Sequence, residues 1–417
     1  METPSAQPPA ATSFLVKRRA LVILCLLQSL VIAVLTIWPP LNFPPPASPR
    51  SAVYSFTNRE PFFVGNPGPW GELEFARIDI EPPDAFLPPP DREFEPTRWF
   101  FEGQSQAQVQ ALFDRCTLSE PQRVALANPA VWMEETNGVT LTPGADVILG
   151  LAPEARVEIY RVLARSMRNE FHYWPYTYRD GGAAEWFRRS GLSAATVGWL
   201  KQLVYRRGPA LCFSDLPELH ARIGDAAERR RLLKTLFRDS ALLMKVRVRP
   251  DTDVEQLMSY WGRGGLAKDF RPLLESLTKV EGSIGLDVAH LIPPFARERL
   301  NAYPVPAAPG QRMPDCYWTA MNFFHDPPED RYYDAAVWQK ELADQYAPVE
   351  SPGYGDLVFL LLPDGTPIHA AVYIADNVVF TKNGVHVRQP WVLTKLEDML
   401  AHYANEQEVR PVWFRRK

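Results

Sequence analysis

Cysteine and histidine are scarce in this chain. Its 417 residues include four cysteines and seven histidines. No CxxC pair and no Cys/His cluster has zinc-ligand spacing, so a structural metal is not expected. An excess of positive charge is missing too. Lys and Arg total 45 against 49 Asp and Glu, a net charge of −4. No global basic field recruits nucleic acid, and none is expected as a partner. No internal repeat at solenoid period is present. Proline is plentiful, at 41 residues, and much of it sits early. Hydrophobic content of 46% and charged content of 23% are ordinary for a folded protein. The length fits two or three domains at about 100–200 residues each.

Charge is also absent from Ala20 to Trp38, nineteen consecutive residues. As a helix this run is roughly 28 Å long, close to the hydrocarbon thickness of a bilayer. Lys17, Arg18 and Arg19 precede it, and no Lys or Arg follows before Arg50. The positive-inside rule then makes residues 1–19 a cytoplasmic tail and 20–38 a single transmembrane helix. The bulk of the chain is expected outside, in a periplasm or beyond, with the lipid bilayer as a partner. A cleaved signal peptide fits less well, because the run is long and no Ala-x-Ala site follows it. A buried core helix fits less well still, since proline-rich sequence bounds the run. Residues 39–68, with PPLNFPPPASPR, read as an extended polyproline linker.

Residues 69–303 read as a mainly α-helical region with a short β part. The first strand is Leu73–Ile80, whose alternation points Leu73, Phe75, Ile78 and Ile80 towards one core, with a slip at Ala76. A hairpin is expected over Val131–Thr142, around Asn137-Gly138. Helical spacing recurs at Pro153–Arg168, Ser193–Tyr205 and Asp225–Arg238, with Ser193, Ser214 and Asp225 as N-caps. Arg229, Arg230 and Arg231 read as a solvated helix face. The aromatics from Phe171 to Phe187 read as core, or else as a sugar- or peptide-stacking groove. Outside the apolar run, Cys116, Cys212 and Cys316 are an odd number. Cys116 with Cys212 is the expected disulfide, leaving Cys316 free.

Residues 304–417 carry the chemistry. Trp318, Met321 and Phe324 follow Cys316 at helical spacing, so a helix starts at the cysteine with Asp315 as its N-cap. Such a position lowers a thiol pKa and supplies a main-chain N–H for an oxyanion. Gly355-Asp356 then opens an apolar strand, Leu357–Leu362. After the Asp364-Gly365 turn, Pro367–Ala375 forms the next strand and carries His369 near its start. Thiol and imidazole are the minimum parts of a nucleophile and its base. Parity selects a third residue. If Ala375, Asp376 and Asn377 form a three-residue loop, Phe380 joins Val372 and Ile374 on the apolar face, and Thr381 and Asn383 share the His369 face. Asn383 is then the expected orienting residue, with Thr381 and His386 as the other options.

Three pieces in this order resemble the NlpC/P60 superfamily of papain-like cysteine peptidases. They are Asp315-Cys316 at a helix start, Gly355-Asp356-Leu357-Val358-Phe359, and His369-Ala370-Ala371-Val372-Tyr373-Ile374. The resemblance covers roughly a fifth of the chain, from Asp315 to Tyr403. Tyr317-Trp318 after the cysteine departs from the family's Ser-Gly and is similar to the related CHAP amidases. The family's third polar residue aligns with Thr381. The resemblance implies an α+β fold of a helix and an antiparallel sheet. It also implies hydrolysis of peptide or amide bonds in peptidoglycan stem peptides, with Cys316 as nucleophile, His369 as base, Asn383 orienting it, and no cofactor. A bacterial envelope and contact with peptidoglycan follow from the same resemblance. Two alternatives use the same residues differently: a non-catalytic envelope-binding scaffold with a degenerate papain-like domain, favoured if Cys316 is buried, or an acyltransferase of related fold.

Overall fold

The computed structural model describes residues 62–178, 182–208, 210–403 and 408–417. These residues belong to one compact unit, Glu60–Lys417. The first strands are β1 (Phe63–Val64) and β2 (Glu72–Ile80). In β2, Leu73, Phe75, Ala76 and Ile80 are buried while Glu72 and Asp79 face solvent. Strands β3 (Trp99–Glu102), β4 (Trp132–Glu135) and β5 (Gly138–Leu141) make a small sheet in the order β3-β5-β4. A second small sheet, in the order β6-β8-β7, joins β6 (Tyr176–Tyr178), β7 (Tyr205–Arg207) and β8 (Ala210–Phe213). Strands β9 (Asp239–Val248) and β10 (Ile284–Asp287) complete a four-stranded antiparallel sheet, β1-β2-β9-β10. Met244, Val246 and Val248 of β9 are buried and alternate with half-exposed Lys245 and Arg247, the signature of a strand with one buried face.

Residues 69–303 carry more helix than strand, but the helices are short, the longest described one being Ala226–Phe237, and the strands belong to three antiparallel sheets. The expected fold class is corrected at its transmembrane helix, which is not part of the described fold. Among the described residues no helix is long and apolar enough to cross a membrane, and Ala20–Trp38 lies outside them, as do the tail before it and most of the proline-rich segment after it. The architecture is α+β with antiparallel sheets.

The expected disulfide is corrected as well. Cys116 and Cys212 lie in one hydrophobic cluster, yet both are free, as is Cys316. Cys116 ends the helix Gln106–Arg115, and Cys212 lies inside β8 between β6 and β7. Each fills core volume as a small apolar side chain.

The C-terminal residues build a six-stranded antiparallel sheet. Its members are β11 (Tyr346–Val349), β12 (Leu357–Leu361), β13 (Pro367–Ala375), β14 (Val378–Lys382), β15 (Trp391–Lys395) and β16 (Arg410–Arg416). Their spatial order is β11-β16-β12-β13-β14-β15. One face presents Phe359, Ala370, Val372, Ile374 and Phe380 to a core that also holds Leu73, Phe75, Met244 and Val246 of the first sheet. The other face, with Val358, Leu360, Ala371 and Tyr373, is covered by Leu396 and Met399 of the helix Leu396–His402. The larger core therefore crosses residue 303, where the sequence changes character. The Arg77–Asp398 ion pair, at 2.7 Å, also ties β2 to the C-terminal helix.

The β13–β14 connection reaches the expected parity by a different route. Only Asp376 and Asn377 form the turn, both with left-handed φ, of 46° and 59°. The register runs Val372↔Phe380, Tyr373↔Val379, Ala375↔Val378, so Ile374 is an unmatched extra residue. This bulge supplies the odd residue that a three-residue loop would have supplied. Phe380 joins Val372 and Ile374 in the core, and Thr381 falls towards His369.

Asp356 fixes the entry to β12. Its carboxylate is buried, accepts two bonds from Arg415 at 2.6 and 3.0 Å on one oxygen, and accepts the Gly353 N–H at 2.6 Å. Asp356→Ala is expected to lower unfolding free energy by roughly 2–3 kcal/mol, the usual loss for charged hydrogen bonds of this kind. Urea denaturation read by tryptophan fluorescence checks this; an unchanged midpoint would mean that the carboxylate does not hold the strand.

Candidate functional site

The helix Cys316–Met321 begins at the cysteine, as the spacing predicts, and the Asp315 side chain caps it by accepting the Trp318 N–H at 2.7 Å. Trp318, Ala320 and Met321 pack it onto the sheet face that carries Ala370 and Val372. The helix thereby sets the Cys316 sulfur against β13. The main-chain N–H groups of Ala370, the residue after His369, and of Tyr317 lie close enough to that sulfur to favour its thiolate.

Cys316 is 6% exposed. Burial, aided by the charge of Asp315, pushes its thiol up to about 12 despite those N–H groups. The resting thiol is therefore protonated at neutral pH. His369 is completely buried. Burial pushes its imidazole well below the usual histidine range, and His402 adds to this, so the ring is neutral.

The imidazole is held by Thr381. His369 Nε2 lies 2.7 Å from Thr381 Oγ1. The threonine hydroxyl has one hydrogen, and the Ala370 carbonyl at 3.4 Å is a second acceptor for it. When the hydroxyl donates there, Thr381 accepts from Nε2–H, and the lone pair of the neutral ring is on Nδ1. His369 Nδ1 is buried with no hydrogen-bond partner among the described residues. Among the described residues no hydrogen bond joins it to Cys316, although the N–H of the adjacent residue lies close to the sulfur. Tyr403 stacks on the imidazole, with ring centroids 4.2 Å apart, and its phenol is raised by burial and by Cys316. Tyr403 thus lies against the imidazole and within electrostatic reach of the sulfur.

The other sequence candidates lie elsewhere. Asn383, expected to orient the imidazole, makes no bond to it; its Oδ1 is buried and unpartnered. Asn383 is one residue past the end of β14, whereas Thr381 lies within the strand, where the bulge at Ile374 sets its parity. His386 is exposed and accepts from the Arg388 main-chain N–H at 3.1 Å. Sequence reasoning passed over Lys382, which is fully buried and donates to the carbonyls of Gly384 and His386 at 2.5 and 3.2 Å. Burial lowers its ammonium to about 8, against the opposing charges of Cys316, Asp315 and Asp239. Tyr403 was missed as well, and nothing in its local sequence marks it. Among the described residues no group of three or more His, Cys, Asp or Glu could hold a metal ion.

No protein-family model, curated protein or solved structure matches this chain.

A buried neutral histidine links the site to pH. The folded form of His369 resists protonation while the unfolded form titrates near 6.5, so its contribution is kept above that pH and lost as pH falls below it. Between pH 7.5 and 5 the loss approaches about 2 kcal/mol. The protein should therefore lose about that much more stability over this range than His369→Gln does. Urea titrations of both proteins at the two pH values measure the difference; parallel losses would show that His369 is not held neutral.

Proposed function

We propose that Cys316, His369 and Thr381 form a thiol-nucleophile centre for hydrolysis or acyl transfer at a carbonyl carbon. One observation carries this reading: Thr381 holds His369 Nε2, Nδ1 has no hydrogen-bond partner among the described residues, and the N–H of the next residue, Ala370, lies against the Cys316 sulfur. A base needs the Nδ1 lone pair to take a thiol proton.

The steps follow from the residues. The Cys316 proton passes to His369 Nδ1 as the sulfur attacks the carbonyl carbon. Charge develops on the carbonyl oxygen, and the main-chain N–H groups at the helix start are the available donors. The carbon–heteroatom bond breaks, and the leaving group takes the proton back from Nδ1. Water, or another acceptor, then opens the thioester by the same base. Thr381 acts through His369, by holding its ring and tautomer. Peptide or amide bonds of peptidoglycan stem peptides are the substrate that the resemblance implies.

Burial favours a second reading. Cys316 and His369 are both enclosed, and a raised thiol is a poor nucleophile until the enclosure opens. In that reading the sheet and helix are a scaffold for binding, and Cys316 is a core residue like Cys116 and Cys212.

Alkylation separates the two. Mass-mapped iodoacetamide labelling of the folded protein at pH 7.5 should modify Cys316 at least tenfold faster than Cys116 and Cys212. His369→Ala should slow Cys316 alone. If Cys316 reacts only at the rate of global unfolding, the scaffold reading stands and the nucleophile reading is lost.

A further inference from the structure

Lys382 is fully buried at the end of β14, next to Thr381. A buried ammonium is costly unless its charge is answered. Its Nζ donates to the carbonyls of Gly384 and His386 at 2.5 and 3.2 Å. An ammonium has three donors, so these neutral acceptors occupy two of them and leave the charge unpaired.

Strand parity decides where that charge lies. Thr381 faces His369, on the side of the sheet that carries Ala371, Tyr373 and Val379. Neighbouring strand residues point to opposite sides. Lys382 therefore shares the other side with Phe380, and the helix Cys316–Met321 packs on that side across β13 and β14. Trp391, opposite Lys382 in β15, completes the link. The ammonium lies 5.8 Å from the Trp391 ring centroid, and the indole N–H donates to Thr319 Oγ1 of the cysteine helix at 3.0 Å. The anions within reach of Lys382 are ionised Cys316, Asp315 and Asp239, and Cys316 acts on it most strongly. Burial raises both carboxyls, Asp239 to about 7, which weakens them as counter-ions. His386 and Arg388, in the loop after β14, are the other titratable groups at this end.

We propose that Lys382 is the counter-cation of the Cys316 thiolate, holding the negative charge that appears on the sulfur when His369 takes its proton. This role rests on the thiol-nucleophile reading and adds a group that the reading lacks. It supplies a positive charge on the cysteine's own side of the sheet, present before the proton moves. His369 is neutral at rest and supplies none. Lys382 acts through Cys316 and needs no contact with substrate. Burial lowers its ammonium to about 8, so it is charged at neutral pH and loses its charge as pH rises through that value. No bond forms or breaks at Lys382, and the proton follows the path already given.

Iodoacetamide labelling of Cys316 in the full chain, followed from about pH 7 to about pH 10, reads this charge. In the unaltered protein the rate should rise with pH and flatten above about 8, where the sulfur loses its charged neighbour. Lys382→Met should remove that bend and slow labelling at pH 7.5 by about threefold or more. Losing one unit of thiol acidity cuts the thiolate about tenfold, and the stronger nucleophilicity of the more basic thiolate returns about threefold. Lys382→Gln keeps N–H donors for the two carbonyls and should do the same, which covers a Lys382→Met protein that urea denaturation shows to be poorly folded. Lys382→Arg should stay within about twofold of the unaltered rate and rise without a bend, since arginine keeps its charge throughout. Labelling that is fast and slowed by His369→Ala, yet straight in pH and indifferent to Lys382→Met, would overturn the role of Lys382 and leave the nucleophile standing. Equal slowing by Met, Gln and Arg at this position, with no bend in the unaltered protein, would mean a packing role and overturn it as well. Labelling only at the rate of global unfolding would remove the nucleophile, and the role of Lys382 with it.

Discussion

A strand buried on both faces tolerates a polar side chain only if that side chain finds a partner, and β13 carries one such residue, His369. Everything at the site follows from satisfying it. Thr381 must lie opposite at hydrogen-bond distance, so β14 must have the right parity, so the short turn must be offset by one extra residue at Ile374. The hydroxyl satisfies Nε2 alone. Nδ1 is buried with no hydrogen-bond partner among the described residues, a costly arrangement for a purely structural histidine and an ordinary one for a base that waits for a proton.

This arrangement is supported from both ends of the sequence. The Tyr260 hydroxyl donates to the Ile374 carbonyl at 2.7 Å, bracing the bulge from the helix Val254–Trp261. Asp376 in the turn accepts the Asn66 side-chain amide at 2.7 Å and the Lys395 ammonium at 3.1 Å. Tyr354 reaches back to the Leu291 carbonyl at 3.0 Å. Residues far outside the Cys-His segment thus hold the turn whose register places Thr381.

Much of this was legible in the sequence, and what was not has identifiable causes. Helical spacing after Cys316 and the Asp315 cap gave the cysteine helix, and alternation gave β2. The apolar β12 and β13 needed no more than their flanking turns. The strand β9 was hidden because it follows a helix directly and its alternation, Met244-Lys245-Val246-Arg247-Val248, was absorbed into an apparently helical stretch. In the two small sheets only the β4–β5 hairpin was marked, by Asn137-Gly138; the other strands, of three or four residues, are too short to show a period. Asn383 was preferred over Thr381 for the chemistry of its amide, but distance decides, and one residue past the strand end is too far round. The free Cys116 and Cys212 show that counting cysteines cannot tell two core thiols from a bridge.

The shared core has a consequence for how this protein can be divided. Phe359, Val372 and Phe380 belong to one buried cluster with Phe75 and Met244 of the first sheet and with Trp318, Ala320 and Met321 of the cysteine helix. Cutting the chain near residue 303 would strip both sheets of a common apolar wall and leave two water-exposed oily surfaces. The Cys-His segment is thus no portable cassette. It and the sheet before it form one folding inheritance, and any recombination that moved the last hundred residues alone would carry the chemistry without the wall that shapes it.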